Sequence, residues 1–124
     1  MSINTYQNRA FVSLVTPDNY SASSEGSGID TQAYNGVGAF VLHQKGGGGS
    51  SPTLNVKLQH ATTSGGTYAD VSGATFSEAT SAAGIEAIEV QMSSLKRYVR
   101  AKYVLGGTTP TFDFGVSAVL PNKG

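Results

Sequence analysis

Three stretches of the chain alternate apolar and polar residues with a period of two, and that period decides most of what the polypeptide can become. In residues 53–60, Leu54, Val56 and Leu58 alternate with Asn55, Lys57 and Gln59. In residues 97–105, Val99, Ala101, Tyr103 and Leu105 alternate with Tyr98, Arg100 and Lys102. In residues 112–120, Phe112, Phe114, Val116, Ala118 and Leu120 alternate with Asp113, Gly115, Ser117 and Val119. Successive side chains of a strand point to opposite faces, so each stretch predicts a strand with one face in a core and one in solvent. A helix needs apolar positions three and four apart. The best helical candidate, residues 77–88, is broken by Gly84 and rich in serine and threonine.

Weaker patterns predict further strands at 10–15, at 37–44 around Phe40, Val41 and Leu42, and at 86–92, with shorter ones at 28–32 and 67–71. Turn-forming residues separate them: Pro17-Asp18-Asn19, Tyr34-Asn35-Gly36, Ser64-Gly65-Gly66, Ser72-Gly73 and residues 106–110. The expected fold is all-β, a β-sandwich or jelly roll of about seven to eight short antiparallel strands. A chain of 124 residues supports one core. The expected organisation is an N-terminal arm over 1–9, a single sandwich domain over 10–120 and a C-terminal tail over 121–124. The run Gly46-Gly47-Gly48-Gly49-Ser50-Ser51 has the composition of a tether, and between two strands it predicts a mobile hairpin loop.

Charged residues make up 13% of the chain and the signs cancel to zero, which leaves no field to attract phosphates and excludes nucleic acid as the expected partner. So little charge also protects poorly against self-association, so a homo-oligomer, dimer or trimer, or a docked assembly component is expected. The chain has no cysteine, which removes disulfides, thiolate nucleophiles and cysteine zinc sites. The first nine residues are polar and carry no signal-peptide pattern, and no apolar run reaches membrane-spanning length. Assembly in a cytoplasm, without a membrane, is the expectation.

Chemistry-bearing motifs are sparse. His43 and His60 are the two histidines, and neither lies in a nucleophile motif; both read as rim residues of strands. Glu86 and Glu89 are three apart on a predicted strand, so they face opposite ways and cannot converge as an acid–base pair. Asp18, Asn19, Glu25 and Asp30 do not match a calcium loop, and Gly46–Gly49 and Gly26-Ser27-Gly28 lack the helix and Lys-Ser/Thr pair of a phosphate cradle. No catalytic, cofactor or metal residue is assigned, and a non-enzymatic role is expected. The one basic cluster spans residues 96–102. Its outward residues Tyr98, Arg100 and Lys102, with Tyr20 and Tyr34, are the candidate protein-interface residues. Tyr20, Tyr34, Tyr68 and Tyr98 also raise the alternative of a carbohydrate-binding sandwich, against which the absence of tryptophan counts.

Five segments carry a family resemblance: residues 28–34 (Gly-Ile-Asp-Thr-Gln-Ala-Tyr), 52–60 (Pro-Thr-Leu-Asn-Val-Lys-Leu-Gln-His), 66–71 (Gly-Thr-Tyr-Ala-Asp-Val), 94–101 (Ser-Leu-Lys-Arg-Tyr-Val-Arg-Ala) and 107–112 (Gly-Thr-Thr-Pro-Thr-Phe). Over residues 18–120 the chain resembles a family of small tailed-bacteriophage virion proteins, typically encoded beside the major capsid protein. The resemblance implies a capsid cement or decoration protein that binds the major capsid protein, sits on the outside of the virion head and clamps neighbouring capsomers. A neck or tail accessory role is the alternative within the same resemblance.

Overall fold

The computed structural model describes residues 8–123. The chain is all-β. Its strands are β1 (Arg9–Tyr20), β2 (Ser24–Glu25), β3 (Ile29–Asp30), β4 (Val37–Ala61), β5 (Ala69–Thr75), β6 (Gly84–Gln91) and β7 (Tyr98–Pro121), with one turn of 3₁₀ helix at Met92–Ser94. All pairings are antiparallel.

The backbone of the fold is one ribbon. β4, 25 residues long, runs against β7, 24 residues long, from Ala39 opposite Val119 to Ala61 opposite Tyr98. Strands this long do not stay flat, and the ribbon folds back so that its two flanks lie in different layers. In the first layer the order is β1, residues 112–121 of β7, residues 37–44 of β4, and β6. In the second it is β2 with β3, residues 98–106 of β7, residues 53–61 of β4, and β5. With β2 and β3 sharing one position, each layer holds four strand positions, and β4 and β7 each pass from one layer to the other, which defines a jelly roll.

The inward residues of both layers form one core. It contains Phe40, Leu42, Phe112, Phe114, Val116, Ala118 and Leu120 from the first layer, and Leu54, Val56, Leu58, Val99, Ala101 and Tyr103 from the second. The alternation read from the sequence is therefore the burial pattern of the ribbon. One edge closes where Gly26 donates to the Ala101 carbonyl at 2.9 Å and packs directly against the Leu14 carbonyl, leaving no room for a side chain. On the other edge the 76–80 segment continues along β4: Phe76 donates to Val56, and Leu54 and Ala79 exchange hydrogen bonds, all at 2.9 Å.

Several turn signals resolve differently. Residues 46–51, read as a mobile hairpin loop, belong to β4: Gly47 pairs with Phe112, Gly48 with Thr111 and Ser50 with Thr108. This is the fold-over of the ribbon, and its register slips between Gln44 and Gly47, Gly48 and Ser50, and Ser50 and Thr53. Residues 106–110 form the opposing strand. Pro17-Asp18-Asn19 lies within β1, beyond a slip between Val15 and Asp18, and Gly73 lies within β5 at positive φ. Glycine and proline here mark bulges that bend strands, which composition alone does not distinguish from turns.

Residues 1–7 of the expected N-terminal arm lie outside the described residues, and Arg9 opens β1. Pro121, assigned to the tail, is the last residue of β7. Beyond it, Asn122 donates to the Asn8 carbonyl and Lys123 to the Ala33 carbonyl, both at 3.0 Å. Among the described residues no helix is long and apolar enough to cross a membrane.

Candidate functional site

Each layer has an inner face in the core and an outer face toward solvent, and the two outer faces differ in kind. On the second layer the outward positions are Asn55, Lys57 and Gln59 on β4, Tyr98, Arg100 and Lys102 on β7, Glu25 and Asp30 on the edge, and Asp70 on β5. Register sets Gln59 opposite both Arg100 and Asp70, and Lys57 opposite Lys102. The side chains form a connected polar network. Arg100 Nε donates to Gln59 Oε1 at 2.9 Å, Gln59 Nε2 donates to Asp70 Oδ1 at 2.9 Å, and Lys57 Nζ donates to Asp70 Oδ2 at 2.9 Å.

The Arg100 guanidinium also lies over the Tyr68 ring, 4.1 Å from its centroid, and 4.0 Å from Glu25 Oε1. Hydrogen bonds from Gln59 and Lys57 hold the Asp70 carboxyl below its usual range. Beside this network, Arg97 makes a bidentate pair with Asp30 at 3.1 and 2.8 Å, and its guanidinium faces the Tyr98 ring at 5.3 Å. The pairing lowers the Asp30 pKa, and Asp30 raises that of Arg97.

The candidate interface residues thus divide. Tyr98, Arg100 and Lys102 share this outer face as their alternation predicts, with Arg100 already engaged by neighbours. Tyr20 is elsewhere: its ring packs 5.2 Å from Tyr103 and 4.9 Å from Phe114, and its hydroxyl donates to the Thr16 carbonyl at 2.6 Å. Burial, then the neighbouring Tyr103 and Asp18, raise its pKa. Tyr34 packs against the core and bridges to Asn122, beyond the end of β7. Of the four tyrosines considered for a sugar platform, Tyr20 turns its ring to the core and the Tyr68 ring is covered by Arg100.

The first layer's outer face carries a broad depression of about 860 Å3 lined by Ser13, Pro17, Asn19, His43, Lys45 and Asp113, among others. Asp113 there accepts from Asn19 Nδ2 at 2.6 Å and lies 4.0 Å from Lys45 Nζ. The other groups weighed for chemistry are dispersed. Glu86 accepts from the Ser77 backbone N–H at 2.9 Å, while Glu89 points to the opposite face, so the two do not converge. Asp18 caps the Asn19 N–H, and Glu25 and Asp30 face Arg100 and Arg97. His60 Nδ1 accepts from the Lys96 backbone N–H at 3.1 Å. Among the described residues no group of three or more His, Cys, Asp or Glu could hold a metal ion. What the sequence missed is the network's second half: Asp70 is set opposite Gln59 by the pairing of β5 with β4, continuous from His60 opposite Ala69, and which strand β5 pairs with is not readable from its own residues.

No family model and no curated protein matches the sequence. Among solved structures, the chain superposes over 92% of its length on the VP2 protein of the infectious bursal disease virus subviral particle, with a TM-score of 0.54 and 11% identity, spanning 32% of that chain. A second structure, the particle of the same virus, gives a TM-score of 0.55 at 12% identity over 92% of this chain and 31% of that one. The SPBc2 prophage-derived protein YomS matches with a TM-score of 0.52 and 14% identity over 90% of this chain and 93% of that chain. At such identities the likeness is one of fold, and this chain spans less than a third of the viral proteins' length.

Proposed function

We propose that the chain is a non-enzymatic structural protein of a bacteriophage virion, and specifically a capsid cement or decoration protein that binds the outer surface of the major capsid protein. The observation that carries this reading is the jelly roll itself, which the chain shares over nearly its whole length with a protein of a viral particle and with a prophage-derived protein of similar size. Of the segments that resemble small tailed-phage virion proteins, 28–34, 52–60, 66–71 and 94–101 fall on or beside the second layer, and 107–112 lies at the fold-over. The contact with the shell falls on that layer's outer face, around Tyr98, Arg100 and Lys102. Paired charges held in a fixed network fit a partner of complementary pattern, which sets register and specificity more than raw affinity. Many copies of such a contact stabilise a shell by avidity without any single large interface.

The test is co-sedimentation of the full chain with expanded, empty heads. Binding is expected, and it weakens by about 1–2 kcal/mol per site in the variant Tyr98→Ala with Lys102→Glu. A chain that never associates with heads contradicts the reading. Copy number per particle separates the alternative: many copies belong to head decoration, few to a neck or tail accessory.

A further inference from the structure

We infer that the outer face of the first layer is a self-association surface, which takes a second copy of this chain face to face about a two-fold axis parallel to the strands. The inference goes beyond the proposed function and does not depend on it.

An antiparallel sheet that covers a core with one face normally turns polar side chains to water on the other. Here three outward rows are apolar or small apart from Glu89 and His43, and the Lys45–Asp113 pair lies beyond them toward the fold-over. Register aligns Phe11, Val119, Ala39 and Glu89 in one row across β1, β7, β4 and β6, and Ser13, Ser117, Val41 and Ala87 in the next. A third row holds Gly115, His43 and Ile85. Phe11 is 74% exposed, Ile85 68% and Val37 40%, which are the largest apolar side chains left in water among the described residues, with Val104 on the other layer. Patches of this kind mark interaction surfaces.

Three properties favour a second copy as the occupant. The first is area: a layer of this width and strand length covers about 500 Å2, so two such faces bury about 1,000 Å2 in total, the lower bound for a specific interface. The second is charge placement. The three rows contain one formal charge, Glu89, on the β6 edge, and Arg9 extends the same face on the β1 edge. A two-fold axis along the strands sets the β1 edge of each copy over the β6 edge of the other, so Arg9 meets Glu89 of the second copy twice, within one row of register. The third is a formal net charge of zero, which leaves no repulsion between copies to overcome. The geometry is the sheet-on-sheet packing already used inside the protein, repeated between molecules.

Sedimentation velocity of the full chain over a range of concentrations is the experiment. The unmodified protein is expected to dimerise reversibly. Phe11→Asp should raise the dimer Kd by about a hundredfold or more, because each copy then buries an unpaired charge. Arg9→Glu and Glu89→Arg should each weaken the dimer about tenfold, and combining them should recover most of the loss. Lys102→Glu, on the opposite layer, should leave it unchanged. Unaltered circular dichroism and melting of these surface variants confirm that the fold is intact. A protein that stays monomeric throughout, a dimer indifferent to Phe11→Asp, or a charge swap without recovery overturns the inference. Head binding by Phe11→Asp separates the two proposals: loss of dimer with binding retained leaves the shell contact standing alone.

Discussion

The flanks and the middle of the β4–β7 ribbon are both paired strand, yet they are held by different physics. In the flanks, every second side chain enters the core: Leu54, Val56 and Leu58 face Val99, Ala101 and Tyr103, and Phe40 and Leu42 face the 112–120 series. Burial of apolar side chains fixes both their strand state and their register, since a slip of one residue would turn every apolar group outward. In the middle there is almost nothing to bury. Residues 46–51 and 106–111 are held by backbone pairing at very close approach, with Gly46, Gly49, Ser51, Gly107 and Thr109 at positive φ. A side chain at Gly49 would sit 2.5 Å from the Thr109 carbonyl oxygen, and one at Gly107 2.5 Å from that of Ser51. Each strand at the fold-over thus lies against the other's backbone.

Substitution tests that contrast directly. The largest effect is expected from Phe112→Ala, at the boundary between the regimes, where a fully buried ring pairs with Gly47. It should destabilise by about 3–5 kcal/mol in urea unfolding, with a residual cavity between the layers. Next is Gly107→Ala, expected to cost about 1–3 kcal/mol through an unfavourable φ and contact with a backbone that cannot move aside. If the segment were instead the tether its composition describes, Gly107→Ala and Gly49→Ala would both fall within about 0.5 kcal/mol of the unmodified protein. Tyr20→Phe is expected to be milder, about 1 kcal/mol. It removes the hydroxyl's bond to Thr16 but keeps the ring against Tyr103 and Phe114.

The same division explains what could be read in the sequence. Alternation carried the flanks: the inward residues of 53–60, 97–105 and 112–120 are those the structure buries, apart from Leu105, which is half-buried, while Gln59, read as outward, is buried within the polar network; Tyr98, Arg100 and Lys102 were legible as one face. The fold-over was not legible, because four glycines in a row satisfy the requirements of a flexible linker and of a bulged strand equally well. What decides between them is the partner strand, Gly106 to Thr111, which lies more than fifty residues away in sequence. The packing of Tyr20 against the core was not legible either, because no alternation was read beyond residue 15. Its strand slips register twice, after Ser13 and after Val15, and each slip changes which face a residue shows. The apolar outer face of the first layer was hidden differently: Phe11, Val41, Ile85 and Val119 each lie beside inward residues in β-rich runs, and their common face emerges only when four strands are set side by side.

The smallest expected effect lies at the far end of a flank, where burial and backbone pairing meet in one side chain. His60 is partly buried near the end of β4, and its Nδ1 accepts the Lys96 N–H. That bond requires an unprotonated Nδ1, and burial, reinforced by the Lys96 charge, lowers its pKa from the usual 6.5. With the folded value below the unfolded one, the unfolded chain binds more protons in the window between them. The stability this group contributes is therefore fully present above pH 6.5 and is lost as the pH falls through the lowered folded value. Urea melts should show a shallow decline in stability on acidification below neutrality, and His60→Gln, which cannot titrate, should flatten it. The lowered carboxyls of Asp30 and Asp70 act with the same sign in a separate window beneath 3.8. A decline that survives His60→Gln would assign the sensitivity to another group and leave the flank held by apolar burial alone.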